Sequence, residues 1–284
     1  MESLLSLAFD NLSSFDGSKI KKGLRQVEGL LAQICLAGQS SPRKHGENQQ
    51  QPQRRMLADL SPDPAFREFF KLQEGFEWNV AQRLLTTLDW LVVRGGDGSY
   101  DMLIVNALDL IQGVLLLHPP SRVLFQRSVH MNLLLDLLEP INCPAIQCAT
   151  IITLVVALLD MPQNVRVFEA LDGLLTITSL FKSRETGREV KFRLTEFLYF
   201  YLTPETPNIP KAETRTNAIG GPDLLKSPGK SKIFGGGRER SKSESGNTLS
   251  VEAKKQHLDR YLPGVVDELL KDLDTYKPFG GILS

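Results

Sequence analysis

Phe125 and Phe168 stand 43 residues apart, and shifting the chain by that interval superposes its apolar positions. Leu108 falls on Ile151 and on Leu194, Ile111 on Leu154 and Phe197, and Leu115 on Leu158 and Tyr201. Pro119 falls on Pro162, and Pro204 lies one residue off the next step. Phe70, 55 residues before Phe125, opens an earlier partial copy: Gly75 and Phe76 follow it as His130 and Met131 follow Phe125, and as Gly173 and Leu174 follow Phe168. Inside each unit the apolar residues return every three or four positions, the spacing of one helix face. No stretch sustains the polar/apolar alternation of a half-buried strand. All-helical units of roughly 40–47 residues are the period of HEAT and armadillo arrays. The sequence therefore predicts an all-α fold, a short armadillo/HEAT-like helical repeat array with irregular ends and disordered linkers.

The array is interrupted twice. Residues 1–38 supply N-terminal helices, the second with Ile20, Leu24, Val27, Leu30, Leu31 and Ile34 on one face, Ser18 as its cap and Gly38 as its end. Residues 39–62 contain QSSPRKHGENQQQPQRR, which has no large apolar side chain to offset the entropy of ordering, and are expected to be a disordered loop. Residues 63–203 carry the repeats, with helices expected over 64–75, 77–93, 100–117, 120–139, 144–159, 163–182 and 187–202. The stretch VVRGGDGSY reads as a helix-to-helix loop. Residues 204–249 form a basic Ser/Gly/Pro linker that is expected to be disordered. Residues 250–284 turn helical again, split by Pro263, and their apolar face is expected to dock on the core.

Composition narrows the function classes. Formal net charge is zero, so no global field attracts nucleic acid or an anionic membrane. Three scattered cysteines, Cys35, Cys143 and Cys148, form no CxxC pair and suit a reducing compartment. The opening MESLLSLAFDNL lacks the basic lead and cleavage site of a signal peptide, and AIQCATIITLVVALL is too short to span a bilayer. A cytoplasmic protein without membrane insertion is expected. Trp78 and Trp90 have apolar neighbours and read as core or interface anchors.

Residues 225–237 read LKSPGKSKIFGGG, in which Gly229-Lys230-Ser231 echoes the end of a phosphate-binding loop. That loop needs a glycine at position 224, a strand before it and a helix after it. Position 224 is Leu224, and Ile233-Phe234 runs into three glycines. A cysteine phosphatase needs His-Cys with Arg six residues on. The cysteines here follow Ile34, Asn142 and Gln147, and Ala149 and Leu154 stand where Cys143 and Cys148 would need the arginine. The serine-hydrolase elbow G-x-S-x-G is absent. No catalytic residue, cofactor or metal site is therefore assigned, and the chain is read as a non-enzyme. Between Leu224 and Ser243 lie six Lys or Arg and one Glu. Ser227 precedes a proline, and Ser241 and Ser243 each have an arginine three residues before them, so these three serines are the candidate phosphorylation sites. Two alternatives attach to the same segment: a nucleotide-dependent enzyme using residues 229–231, and a nucleic-acid-binding adaptor through the 226–242 basic run.

Three blocks, MESLLSLAFDNLSSFDGSKIKKGLRQVEGLLAQICL, PAFREFFKLQEGFEWNVAQRLL and YLPGVVDEL…PFGGIL, resemble the fungal cell division control protein 14 family of the septation initiation network. The phosphatase family of the same number-name is unrelated. The resemblance implies a non-catalytic scaffold that binds a germinal-centre-type protein kinase, assists its recruitment to the spindle pole body, and couples mitotic exit to septum formation and cytokinesis. It supplies no motif for the kinase contact. The stretches Phe70–Val93 and Phe168–Tyr201 are the expected faces.

Overall fold

The computed structural model describes residues 1–36, 60–96, 98–205 and 248–276. The described residues are all-α. Helices α1 (Glu2–Leu12), α2 (Gly17–Leu36), α3 (Pro64–Glu74) and α4 (Val80–Arg94) are followed by α5 (Asp101–Leu117) and a 3-10 helix (Pro119–Gln126). Then come α6 (Ser128–Asp136), α7 (Pro144–Leu158), α8 (Pro162–Ala170), α9 (Gly173–Lys182), α10 (Arg188–Leu202), α11 (Val251–Asp259) and α12 (Val266–Tyr276). Four long helices lie side by side, α2 on α5, α5 on α7 and α7 on α10. A second row runs from α3 to the 3-10 helix to α8. The third helices, α4, α6, α9 and α12, pack against members of these rows.

The 43-residue shift is realised in space. It carries the start of α5 onto the start of α7, and the 3-10 helix onto α8. The superposed triplets Leu108/Ile151/Leu194, Ile111/Leu154/Phe197 and Leu115/Leu158/Tyr201 are all buried in one continuous core. This arrangement is compatible with an armadillo-like array.

Helix ends follow local chemistry. Asp63 caps α3 by accepting from the amides of Ala65 and Phe66, and Pro64 gives up no hydrogen bond at the first position. Polar side chains buried at the turns take carbonyls that helix ends leave unpaired. The Asn164 amide donates to Ala157 O at 2.7 Å and to Arg122 O at 2.8 Å, and Arg122 donates to Leu159 O at 2.8 Å. Gln147 donates to Glu139 O at 3.0 Å.

Several expectations need correction. The single helices expected over 120–139 and 163–182 are each two, broken at Arg127 and at Leu171–Asp172, where Asp172 takes a left-handed φ of 58°. Apolar residues continue at helical spacing through both breaks, Phe125, Val129 and Leu133 at the first and Phe168, Leu171 and Leu175 at the second, which hides the breaks from periodicity. The helix expected from 77 starts at Val80, with Asn79 as its cap. Asp16, not Ser18, caps α2, accepting from the amides of Ser18 and Lys19. The core phenylalanine of α3 is Phe69, whereas Phe70 is half-buried. The expected disordered segments 39–62 and 204–249 lie largely outside the described residues, but their edges do not: Leu60 is buried in the core and Glu205 is packed at the end of α10.

Candidate binding surfaces and the C-terminal clasp

The most elaborate polar site joins α8, α10 and α11. Beyond α10 the chain continues extended through Thr203 to Glu205, whose carboxylate is 6% exposed. Glu205 Oε1 lies 2.7 Å from Arg166 Nη2 and 3.2 Å from Lys254 Nζ, and its Oε2 accepts from the amide of Leu249 at 2.9 Å. Lys254 also donates to Thr203 O at 3.0 Å and sits 5.3 Å over the Tyr201 ring. The Tyr201 hydroxyl donates to Glu169 Oε1 at 2.6 Å, and Arg166 closes the ring at 3.3 Å from the same oxygen. Two cations and two carboxylates thus neutralise each other. Burial pushes the Lys254 amine below its ordinary range, against the pull of Glu205. Burial, with the bond to Glu169, pushes the Tyr201 hydroxyl far above its ordinary range.

Outside this ring the C-terminal helices bury Leu258, Leu262, Val266, Leu269 and Leu273 in the common core, and α11 and α12 both contact α10. Tyr199 donates to Asp272 at 3.1 Å. Ser250 caps α11 by accepting from Ala253 N. Sequence periodicity shows the apolar face but misses the ring. The available signal was Lys254, which stands one turn before Leu258 on the face that must be buried.

The sequence-predicted sites divide into two groups. Ser227, Ser241, Ser243, the 229–231 Gly-Lys-Ser and the 226–242 basic run lie outside the described residues. Within Phe70–Val93 the large exposed apolar side chains are Phe76, 88% exposed, and Val93. Within Phe168–Tyr201 they are Leu175 and Phe192. Trp78 stacks on Phe9 at 6.2 Å, and Trp90 touches Phe15 and Tyr100, so both tryptophans are half-buried anchors between elements. His118, which opens the HPPSR turn, shares a hydrogen bond with Ser121 Oγ at 2.8 Å and packs edge-on to Phe70. Burial raises the thiols of Cys35 and Cys148, opposite to what a nucleophile needs. Among the described residues no group of three His, Cys, Asp or Glu is placed to hold a metal ion, and no single helix is long and apolar enough to cross a bilayer.

The family model described as "Cell division control protein 14, SIN component" matches residues 1–279. The chain belongs to this family. It is 28% identical to the cell division control protein 14 of Schizosaccharomyces pombe over 289 aligned residues, covering 99% of this chain and 97% of that protein. No solved structure matches the chain. Membership of a family described as a component of the septation initiation network (SIN) places this array in the control of cell division and septation.

Proposed function

We propose that this chain is a non-catalytic scaffold of septation signalling, which binds a germinal-centre-type protein kinase and promotes its recruitment from the cytoplasm to the spindle pole body. The observation that carries this reading is the family match over residues 1–279. The helical array supplies the means: a scaffold acts by favouring one conformation or one location of its partner. Binding energy concentrates in a few interface residues, among which aromatic side chains are enriched. Phe76, between α3 and α4, Val93, at the end of α4, Leu175 on α9 and Phe192 on α10 are the large exposed apolar side chains in the stretches expected to hold the kinase. The paired variants Phe76→Asp/Val93→Asp and Leu175→Asp/Phe192→Asp are expected to separate these faces. One pair should reduce kinase co-purification at least about tenfold and abolish kinase fluorescence at the pole body, while the other leaves both intact. Full co-purification by both variants would refute the assignment of the surface, and nucleotide hydrolysis by the purified chain would refute the non-catalytic reading. Phosphorylation of Ser227, Ser241 or Ser243 belongs to the same proposal as its regulatory arm, and phosphopeptide mapping through division checks it.

A further inference from the structure

The clasp closes over one short extended segment. Helix α10 ends at Thr203, which takes φ −65° and ψ 147°, and the chain runs on through Pro204 to Glu205. Thr203 is partly exposed and Pro204 is exposed. Thr203 is bonded to both sides of the clasp. Its hydroxyl donates to Phe200 O of α10 at 2.6 Å, and its carbonyl accepts from Lys254 of α11 at 3.0 Å. A threonine followed by proline in an extended segment is the minimal acceptor of a proline-directed protein kinase. Two serines or threonines that precede proline lie among the described residues, Ser61 and Thr203, and Thr203 is the one bonded to α11.

The surroundings of Thr203 have no positive charge to spare. A small cavity of about 60 Å³ lies against it, and the charged groups lining that cavity are Asp160, Glu205 and Lys254. In the ring, Arg166 and Lys254 are already matched by Glu169 and Glu205. Residues two apart in an extended segment face the same way, which sets Thr203 and Glu205 on one side of the chain. A phosphate on Thr203 adds nearly two negative charges and no donor. The neutral ring becomes negative around a carboxylate that is only 6% exposed, and the hydroxyl bond to Phe200 O is lost. Water screens these charges once the segment and α11 part.

We propose that Thr203 is the acceptor of a proline-directed protein kinase, and that its phosphorylation releases α11 and α12 from the array. The hydroxyl oxygen bonds to the terminal phosphorus of ATP as the bond to ADP breaks, and the hydroxyl proton passes to the kinase's base. Tyr201 and Leu202, just before the acceptor, are buried, so the kinase reaches Thr203 when the clasp opens locally. Opening exposes the acceptor, and the phosphate in turn favours opening. The inference stands on the clasp alone, and it holds or fails independently of the scaffold reading.

The test uses the full chain with Ser41, Ser61, Thr206 and Ser227, the other acceptors before proline, replaced by alanine. This parent is treated with ATP and a cyclin-dependent kinase or, separately, a mitogen-activated protein kinase. Peptide mass spectrometry should find Thr203 modified by at least one of them. Modification should be about tenfold faster in Leu258→Ala, which loosens the apolar half of the docking and leaves the residues that a kinase reads unchanged. Amide exchange in α11 and α12 should be about tenfold faster in the phosphorylated parent than in the untreated one, with α5 and α7 equally protected in both. Thr203→Val keeps the shape without the hydroxyl, and kinase treatment should leave its exchange unchanged. The proposal is overturned if neither kinase modifies Thr203, if parent and Leu258→Ala are modified at one rate, or if Thr203→Val responds like the parent. It is equally overturned if the phosphorylated parent exchanges no faster than the untreated one, a slower exchange meaning that the phosphate closes the clasp. The exchange comparison needs no destabilised variant, so it decides the matter even where Leu258→Ala does not fold.

Discussion

At Gly173 the core allows no side chain. A Cβ built there would stand 2.2 Å from the Phe168 ring, well inside contact distance. The sequence pattern of a phenylalanine followed five residues later by a small residue thus has a steric basis in this unit, whereas the preceding unit carries His130 at the same offset from Phe125. Gly173→Ala is expected to destabilise the chain by about 1–3 kcal/mol, through the strain of overpacking. Phe168→Leu on that background should recover part of the loss in a double-mutant cycle read by urea denaturation. The histidines make a second residue-scale case. His118 and His130 are both held below the ordinary histidine range, chiefly by burial; Glu74 opposes this at His118, and at His130 Arg127 reinforces it while Asp89 opposes it. A depressed folded-state pKa means the unfolded chain binds protons first. The associated stability is complete above about pH 6.5, the unfolded value, and is lost as pH falls toward the depressed folded values. Urea midpoints should therefore decline from pH 7.5 to pH 5. The slope should shrink in the His118→Gln/His130→Gln variant.

Between elements, the decisive feature is the ring of Arg166, Glu169, Glu205 and Lys254. Its members come from α8, the extension of α10, and α11, so it is the polar half of the C-terminal docking whose apolar half is Leu258 to Leu273. Removing one partner of a buried pair costs more than replacing both, because the remaining charge stays desolvated. Glu205→Ala should cost about 3–5 kcal/mol. The loss should appear first as faster amide exchange in α11 and α12, with α5 and α7 still protected. The double variant Glu205→Gln/Lys254→Met removes one charge of each sign at nearly constant shape, leaves Arg166 paired with Glu169, and should restore most of that protection. Equal protection in Glu205→Ala and the parent chain would show that the apolar half holds the helices alone.

For the whole molecule, the legible part was what repeats. Helical periodicity and the 43-residue interval predict the long helices α5, α7 and α10 to within a residue or two, because their apolar rows are the core. Features that depend on neighbours distant in sequence did not show. The breaks at Arg127 and Asp172 interrupt apolar rows that look continuous, and Phe69 and Phe70 are adjacent aromatics between which a pattern cannot choose the inward one. The left-handed residue after α1 is Phe15, although the nearby glycine, Gly17, is where sequence would place it. One feature of the clasp bears on the connection that joins α10 to α11. The hydrogen bond from Leu249 to Glu205 holds the two ends of residues 206–247 at a single point of the array. Closing a connection costs only logarithmically more as it lengthens, about 0.6 kcal/mol per doubling. The docking of the C-terminal helices therefore depends on Glu205 and on where Leu249 meets it far more than on how many residues separate the two along the chain.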